Sequence, residues 1–451
     1  MPLLALPILA LTVFALLRRL EVRVVLLVAG GTLALLAGQP LVVLDTFTRS
    51  MVATMVAPIC AAMGFAAVLA ATGCECALVQ VLVAPLLRTR WLVVPGGVVA
   101  AYVVNLAVPS QASTAAALGP ILLPLLRAAG YTVEAAGAVL LLGASFGGDL
   151  LQPGAQDVQA IAGVAAVEAV RLHALLLPAS VSGLASAAVA CAWSLRRGRG
   201  PADRDRNVLG PAAVVHEPAT APLLPTFAPW SIGLWLRAAV PLLPIAALLL
   251  AYAGVPWLQW LLTLPPGDDW RPFAGVLPVV RALLLGIVVA AATAWRLLPK
   301  LADELFVGMG RAYASIISLT ICAQVFGAGL AATGAAAALL AVSQELGALP
   351  ALSVLGPGGL AAVSGSGSGP ILAFAQTFLA PVPAGPELDR CAALACLAGA
   401  FGRTLSPVAA VTVCVAGQLR VSPVGILRQV AVPLAIGALV AIGLVLARSG
   451  G

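Results

Sequence analysis

Leu69-Ala-Ala-Thr-Gly73 recurs as Leu330-Ala-Ala-Thr-Gly334, and three more blocks recur behind it in the same order. Pro95-Gly96-Gly97 returns as Pro357-Gly358-Gly359, and Gly119-Pro-Ile-Leu122 as Gly369-Pro-Ile-Leu372. Gly143-Ala-Ser-Phe-Gly147, ahead of Pro153, is echoed by Gly399-Ala-Phe-Gly402 ahead of Pro407. The offsets are 261, 262, 250 and about 255 residues. One such block in an Ala/Gly-rich chain says little, but four in order make the chain two related halves. They are 1–194 and 231–451, joined by a polar, Arg- and Pro-rich linker at 195–230 that reads as flexible.

The composition says what solvent the halves fold in. Of 451 residues, 62% are apolar or aromatic and 9% are charged, against about 25% charged in soluble domains. Mean hydropathy is +1.09. A water-soluble enzyme is excluded, because too few polar residues exist to cover a soluble surface. The apolar runs approach twenty residues, enough for a helix to cross about 30 Å of hydrocarbon. They lack the alternating ten-residue pattern of an outer-membrane barrel. The chain therefore reads as an all-α polytopic membrane protein with the lipid bilayer as its partner. Residues 2–17 are apolar without a basic segment before them, so they are expected to remain as a span rather than act as a cleaved signal.

The net charge of +7 comes from basic residues that are all Arg except Lys300. Most lie at the ends of apolar runs, which is a topology signal and not a nucleic-acid footprint, so no nucleic-acid partner is expected. With the linker inside, and five spans plus one re-entrant hairpin per half, 17 Arg and Lys fall inside and 5 outside. That assignment puts both termini outside. Five is odd, so the second half enters from the opposite side. The expected fold is two inverted-topology repeats, each with about five transmembrane helices, a re-entrant helical hairpin and a broken helix. The eight Cys are scattered and Cys74 and Cys76 lack zinc or redox spacing. No metal and no cofactor is expected, and no phosphate-binding Gly-x-x-x-x-Gly-Lys motif marks an ATP motor.

Two pairs of segments cannot be plain spans. Residues 91–126 carry Pro95-Gly96-Gly97, Asn105 and then Pro109-Ser110-Gln111-Ala112-Ser113-Thr114 between two apolar arms. Residues 350–383 carry the tip Ser364-Gly-Ser-Gly-Ser-Gly369-Pro370. Each reads as a re-entrant hairpin whose polar tip offers hydroxyls, amides and carbonyls at mid-membrane, so Asn105 and Gln111 join the tip serines as candidates for substrate contact. The alternative is a serine-rich surface loop.

The second pair is a broken helix in each half, at about 132–167 with its break at 143–157, and at about 391–418 with its break at 399–408. Asp149, Asp157 and Arg403 sit there, and charges at that depth are functional candidates by default. Arg403 suits a substrate carboxylate, which its planar fork binds bidentately at any working pH. Asp149 could carry a coupling proton or help hold a cation. It could equally pair with Arg403 and only tie the broken helices together. Asp157 could act in coupling or simply cap the helix that resumes after the break. His173 and His216 have no catalytic neighbours in sequence and are expected to be solvated. Glu168 and Arg171 form an expected surface pair, and Trp91, Trp230, Trp235, Trp257 and Trp260 fit interfacial belts.

Ala70-Ala-Thr-Gly-Cys74, Val104-Asn-Leu-Ala-Val-Pro-Ser110 and Gly119-Pro-Ile-Leu-Leu-Pro124 resemble the anaerobic four-carbon dicarboxylate carriers of the DcuC type, in the ion transporter superfamily. The likeness runs from about residue 50 to 430, with the linker as the gap and the more specific motifs in the first half. It implies a homodimer with scaffold and transport domains working as an elevator. The cargo would be succinate, fumarate or malate, driven by a proton or a counter-substrate. By position, substrate contacts would fall on Ser110, Ser113, Thr114, Ser364, Ser366, Ser368, Arg403, Thr404 and Ser406. Sodium-coupled dicarboxylate relatives carry Ser-Asn-Thr at both tips. Here the first tip reads Ser110-Gln111-Ala112-Ser113-Thr114 and the second has no Asn or Thr, which argues for a coupling proton over sodium.

The whole reads as an inner-membrane secondary carrier of small carboxylates. The alternatives are the same scaffold with another organic acid or a drug exported against protons, and, from another class, an intramembrane enzyme.

Overall fold

The computed structural model describes residues 2–18, 20–88, 92–108, 110–165, 167–196, 229–263, 276–345 and 347–448. Most of the linker, His216, Pro109, Trp91, Arg19, Arg90, Arg271 and both extreme termini, on which some of the sequence expectations fall, lie outside the described residues.

In the first half, α1 (Pro2–Leu17), α2 (Val22–Leu36), α3 (Leu41–Met51), α4 (Val56–Thr72) and α5 (Cys74–Val83) precede a helix pair, α6 (Val93–Ala107) and α7 (Gln111–Ala128). Then come α8 (Val133–Ser145), a 3-10 turn at Gly148–Leu151, α9 (Gln156–Ala165) and the long α10 (Ala169–Arg196). The second half opens with α11 (Ile232–Ala239), α12 (Leu243–Tyr252), α13 (Pro256–Thr263) and α14 (Leu277–Thr293). Next are α15 (Leu298–Ala312), a π turn at Tyr313–Ile317, α16 (Ser318–Ala332) and α17 (Ala335–Glu345). A second helix pair follows, α18 (Leu349–Ser364) and α19 (Ser368–Phe374), the latter running into a π turn at Ala375–Leu379. The chain closes with α20 (Pro386–Thr404), α21 (Ala410–Leu419) and α22 (Pro423–Ala447). The described residues contain no strand.

Among the described residues, five helices are long and apolar enough to cross a bilayer, or six if the bent pair α3 and α4 is one span. Seven more apolar helices have 10–17 residues. The ten full spans expected from sequence are therefore not all single long helices. Proline and glycine cut several of them short, as at the Gly38-Gln39-Pro40 turn between α2 and α3. Large apolar side chains such as Leu439 on α22, 72% exposed, face outward. The protein is a multi-pass membrane protein.

The recurrent blocks do the same work in both halves. Leu69–Gly73 ends α4 and Leu330–Gly334 ends α16. In each, the Thr hydroxyl donates back to a helix carbonyl, Thr72 to Val68 at 2.9 Å and Thr333 to Leu330 at 2.7 Å. In each, the Gly takes a left-handed conformation, φ 72° at Gly73 and 73° at Gly334, where a Cβ is costly. Packing recurs as well. α3 lies on α16 and α15 on α4, α2 on α16 and α14 on α4, and α6 on α8 and α18 on α20, while α10 and α22 pack on each other. One core runs through α5 to α10 and α18 to α22, and a second joins α1, α2 and α4 with α15 to α17 and meets the first at Ala160 of α9 and Leu372 of α19.

The second break lies later than expected. α20 continues through Gly399 and Gly402 to Thr404, and the interruption is Leu405–Ala409. Those glycines serve packing instead: a Cβ on Gly402 would sit 2.1 Å from the Gly358 carbonyl oxygen of α18. Small residues let helix backbones approach closely where lipid leaves no hydrophobic drive for association. Gly402→Ala is therefore expected to cost about 1–3 kcal/mol or more through overpacking. Thermal unfolding of the purified variant, with a lowered midpoint and poor yield, checks it, and a wild-type midpoint would remove this account of the contact.

Candidate functional site

The ends of α8 and α20 meet, and polar residues join them in an otherwise apolar core. Phe146 and Phe401 pack with ring centroids 5.0 Å apart and planes tilted by 47°. Beside them the Ser145 and Thr404 hydroxyls are 2.7 Å apart, and Thr404 Oγ1 donates to the Ser145 carbonyl at 2.8 Å. Both residues are fully buried. Hydroxyls in such a place need partners, and Thr404 finds one in the Ser145 carbonyl and Ser145 in Gln111.

From that junction the network reaches the charged groups. Ser145 Oγ donates to Gln111 Oε1 at 2.9 Å, and Gln111 Nε2 donates to Asp149 Oδ2 at 3.2 Å. The Asp149 backbone N–H donates to Asn105 Oδ1 at 2.9 Å. Arg403 Nη2 donates to Asp149 Oδ2 at 3.1 Å, with the two side chains only 12% and 8% exposed. The second tip lies over the same guanidinium: a Cβ built on Gly367 would be 3.4 Å from Arg403 Cζ and Nη1. Arg403 Nε is buried without a hydrogen-bond partner.

Asp157 stands in the first turn of α9 and is not its cap. Its Oδ1 accepts from Ser368 Oγ of the second tip, while its Oδ2 is buried without a partner. It lies within electrostatic range of both Arg403 and Asp149. The cluster thus holds two carboxylates and one guanidinium, with donors and acceptors in reserve.

Of the residues expected from sequence, Asn105, Gln111, Asp149, Arg403 and Thr404 form one network, with Asp157 and Ser368 beside it. Others bond locally. Ser110 caps α7, accepting from the Ser113 N–H at 3.3 Å and from the Ser113 hydroxyl at 2.9 Å. Ser364 Oγ accepts from the Ser366 N–H, and Ser406 Oγ from the Val408 N–H. Thr114 is fully buried with its hydroxyl unpartnered.

Two buried polar residues carry no assignment from the sequence. Ser145 lies inside a recurrent block, at the end of α8. Gln152 is 2% exposed, with neither amide atom bonded. His173 is half-buried, not solvated: Nδ1 lies 2.7 Å from the Ala169 carbonyl oxygen and Nε2 3.2 Å from that of Gln152, so it ties α10 to the first break. Only tertiary packing brings Gln152 to it. Glu168 and Arg171 pair at the surface at 3.3 Å. Among the described residues no group of His, Cys, Asp and Glu could hold a metal ion.

A transporter of Haemophilus influenzae with no assigned cargo is 34% identical over 200 residues, covering 44% of this chain and 67% of that one. The anaerobic C4-dicarboxylate transporter DcuC of Escherichia coli is 29% identical over 151 residues, 30% of each chain. The family described as "C4-dicarboxylate anaerobic carrier", DcuC, matches residues 235–449. The chain is related to the DcuC-type carriers. This DcuC-related protein is a membrane transporter and not an enzyme, and the family match falls on the half that holds Arg403 and the second tip. In fold it resembles Neisseria gonorrhoeae MtrF, at a TM-score of 0.50 and 16% identity, covering 89% of this chain and 82% of that one.

Proposed function

We propose that this protein is an inner-membrane secondary carrier of small carboxylates, foremost the four-carbon dicarboxylates succinate, fumarate and malate. It works by elevator-type alternating access between two inverted repeats, coupled to protons or to a counter-substrate. The observation that carries the reading is the buried Arg403 guanidinium, which lies between both helix breaks and the second tip with Nε unbonded. A cation held so deep suits an anionic cargo, and Asp149 occupies in the meantime the place a substrate carboxylate would take. The repeated blocks and the repeated helix pairings support the inverted repeats. The division between the two cores supports a transport body of α5–α10 with α18–α22, moving against a scaffold that contains α1–α4.

Charge counting supports proton coupling. With both Asp ionised the cluster is one negative charge in excess, and a dianion would add two more in a low-dielectric site. Protonation of Asp157, and release of Asp149 from Arg403, would relieve that repulsion. Substrate contacts are assigned to Asn105, Gln111, Ser110, Ser113, Thr114, Ser364, Ser366, Ser368, Thr404 and Ser406 together with Arg403. Coupling is assigned to Asp149 and Asp157, and the working unit is a homodimer with both termini outside and the 195–230 linker in the cytoplasm.

The test is uptake of labelled succinate into proteoliposomes, with proton and sodium gradients imposed separately and a counterflow arm with internal fumarate. Accumulation under a proton gradient or counterflow, without a sodium requirement, is the expected result. No movement in any arm from folded protein would remove the dicarboxylate cargo. The likeness in fold to MtrF, described as one of a class of antimetabolite efflux pumps, favours a second reading, export of a drug-like acid against protons. An outward-transport arm with such acids separates the two. Ser366→Ala is expected to weaken succinate binding severalfold, by about 1 kcal/mol for one lost hydrogen bond. Unchanged affinity would make that tip residue structural.

A further inference from the structure

A cavity of about 370 Å³ opens between α3, the far end of α9, α16 and the π turn that follows α19. That volume falls within the range of small-ligand pockets, about 300–1,000 Å³. Its polar lining is Thr46, Gln324 and Gln376, and the remaining lining residues are Gly, Ala, Val and Pro. Ser50 Oγ lies 2.6 Å from both the Thr46 carbonyl and Gln324 Oε1, which share its one proton, and the Gln324 NH2 group is left to donate. Gln376 belongs to the π turn and lies flat on α16, where a Cβ on Gly327 would be 2.1 Å from its Oε1. π turns are rare, and they concentrate at functional positions. The cavity wall thus offers two amide donors and a hydroxyl without a charge.

The cavity and the Asp157 contact lie along the same two elements. α9 carries Asp157 and, six residues on, the lining residue Gly163, about 9 Å further at ~1.5 Å per residue. Ser368 opens α19, and Gln376 follows eight residues later, at most about 12 Å away at the same rise. The Ser368 to Asp157 hydrogen bond therefore closes one end of an interface whose other end is open. At the counterpart interface, between α7 and α21, the space is filled. Gln418 Nε2 donates to the Ala115 carbonyl at 3.1 Å, and a Cβ on Gly119 would be 1.7 Å from Gln418 Oε1.

We propose that this cavity is a waypoint site for a small carboxylate on its way to Arg403, its oxygens accepting from the Gln324 and Gln376 amides, with the Ser368–Asp157 hydrogen bond as the inner gate. The inference rests on the carboxylate-carrier reading above. Neutral donors suit such a station, because conduction requires binding strong enough to enter and weak enough to leave. A guanidinium there would trap the anion before it reached the coupling carboxylates.

The test places a thiol in the wall. Cys76 is the exposed native cysteine among the described residues, so Ala328→Cys is made together with Cys76→Ser and reconstituted in proteoliposomes. A small sulfonate-bearing thiol reagent is expected to label Ala328→Cys. Acetate or succinate at about twice its dissociation constant should slow labelling about threefold. Adding Gln324→Leu and Gln376→Leu should remove that protection while labelling itself persists. No labelling by the anionic reagent, or protection by neither carboxylate, would overturn the waypoint. Protection that survives both Leu substitutions would overturn its assigned donors. Acetate protection in a protein that fails to move succinate would sink the dicarboxylate reading and leave the waypoint standing.

Discussion

Arg403→Ala is expected to lose carboxylate binding and a good part of the protein's stability at once. Truncating one partner of a buried, hydrogen-bonded charge costs about 2–5 kcal/mol of binding, which is roughly thirtyfold to several thousandfold in affinity. The same change strands the Asp149 carboxylate, leaving the Gln111 amide and no cation against it. Breaking a buried pair from one side costs about 3–5 kcal/mol of stability. Binding and folding must therefore be separated. Asp149→Asn combined with Arg403→Gln removes both charges and keeps hydrogen-bonding groups in place, so it should fold nearly as well as the wild type yet still fail to bind. Arg403→Lys keeps the charge without the fork and should fall between. Equilibrium binding and thermal unfolding on the four proteins decide the matter. Wild-type affinity in the double variant would make the Asp149–Arg403 pair a purely structural tie.

The second large effect concerns coupling. Asp157→Asn keeps an acceptor for the Ser368 hydroxyl but can carry neither a negative charge nor a proton. Counterflow of labelled succinate against internal fumarate should continue at a comparable rate, because exchange needs no net proton movement. Proton-driven accumulation should vanish. One coupled proton supports about a tenfold concentration ratio per pH unit, since 1.36 kcal/mol is a factor of ten, and the variant should equilibrate at a ratio near one. Accumulation equal to wild type would move the coupling role away from Asp157. Loss of both exchange and accumulation would instead make it a substrate-site residue.

How far these residues could be found in advance depended on the kind of signal each left. Arg403, Asp149 and Asp157 were conspicuous because an ionisable group in an apolar run is costly and stands out on cost alone. Gln111 and Asn105 stood out because polar residues collect at a hairpin tip. Ser145 had no such mark, since a serine costs little in a helix and its importance comes from facing Thr404 across 259 positions of sequence. His173 gave a misleading signal. The Ala169 carbonyl one helical turn back bonds one ring nitrogen locally, but the second partner, the Gln152 carbonyl, reaches the other only through the turn between α8 and α9. The misjudged second break has a similar cause, because a glycine that ends a helix and one that admits a neighbouring helix look identical in sequence. Gly399 and Gly402 are of the second kind.

From the sequence alone came the solvent, the helical class, the duplication and the residue types at the two breaks. Hydropathy, run length and repeated motifs are local properties, and the bilayer forces helices wherever such runs occur. Only the tertiary structure decided which polar groups share a site. It set Arg403 on Asp149 and Ser368 on Asp157, turned Ser110 and Ser364 to local bonds, and left a cavity beside α9 where Gln418 fills the counterpart. Those outcomes depend on helix crossings at close range, where the absence of a single Cβ determines how near two backbones come, and a residue's identity does not reveal what lies opposite it.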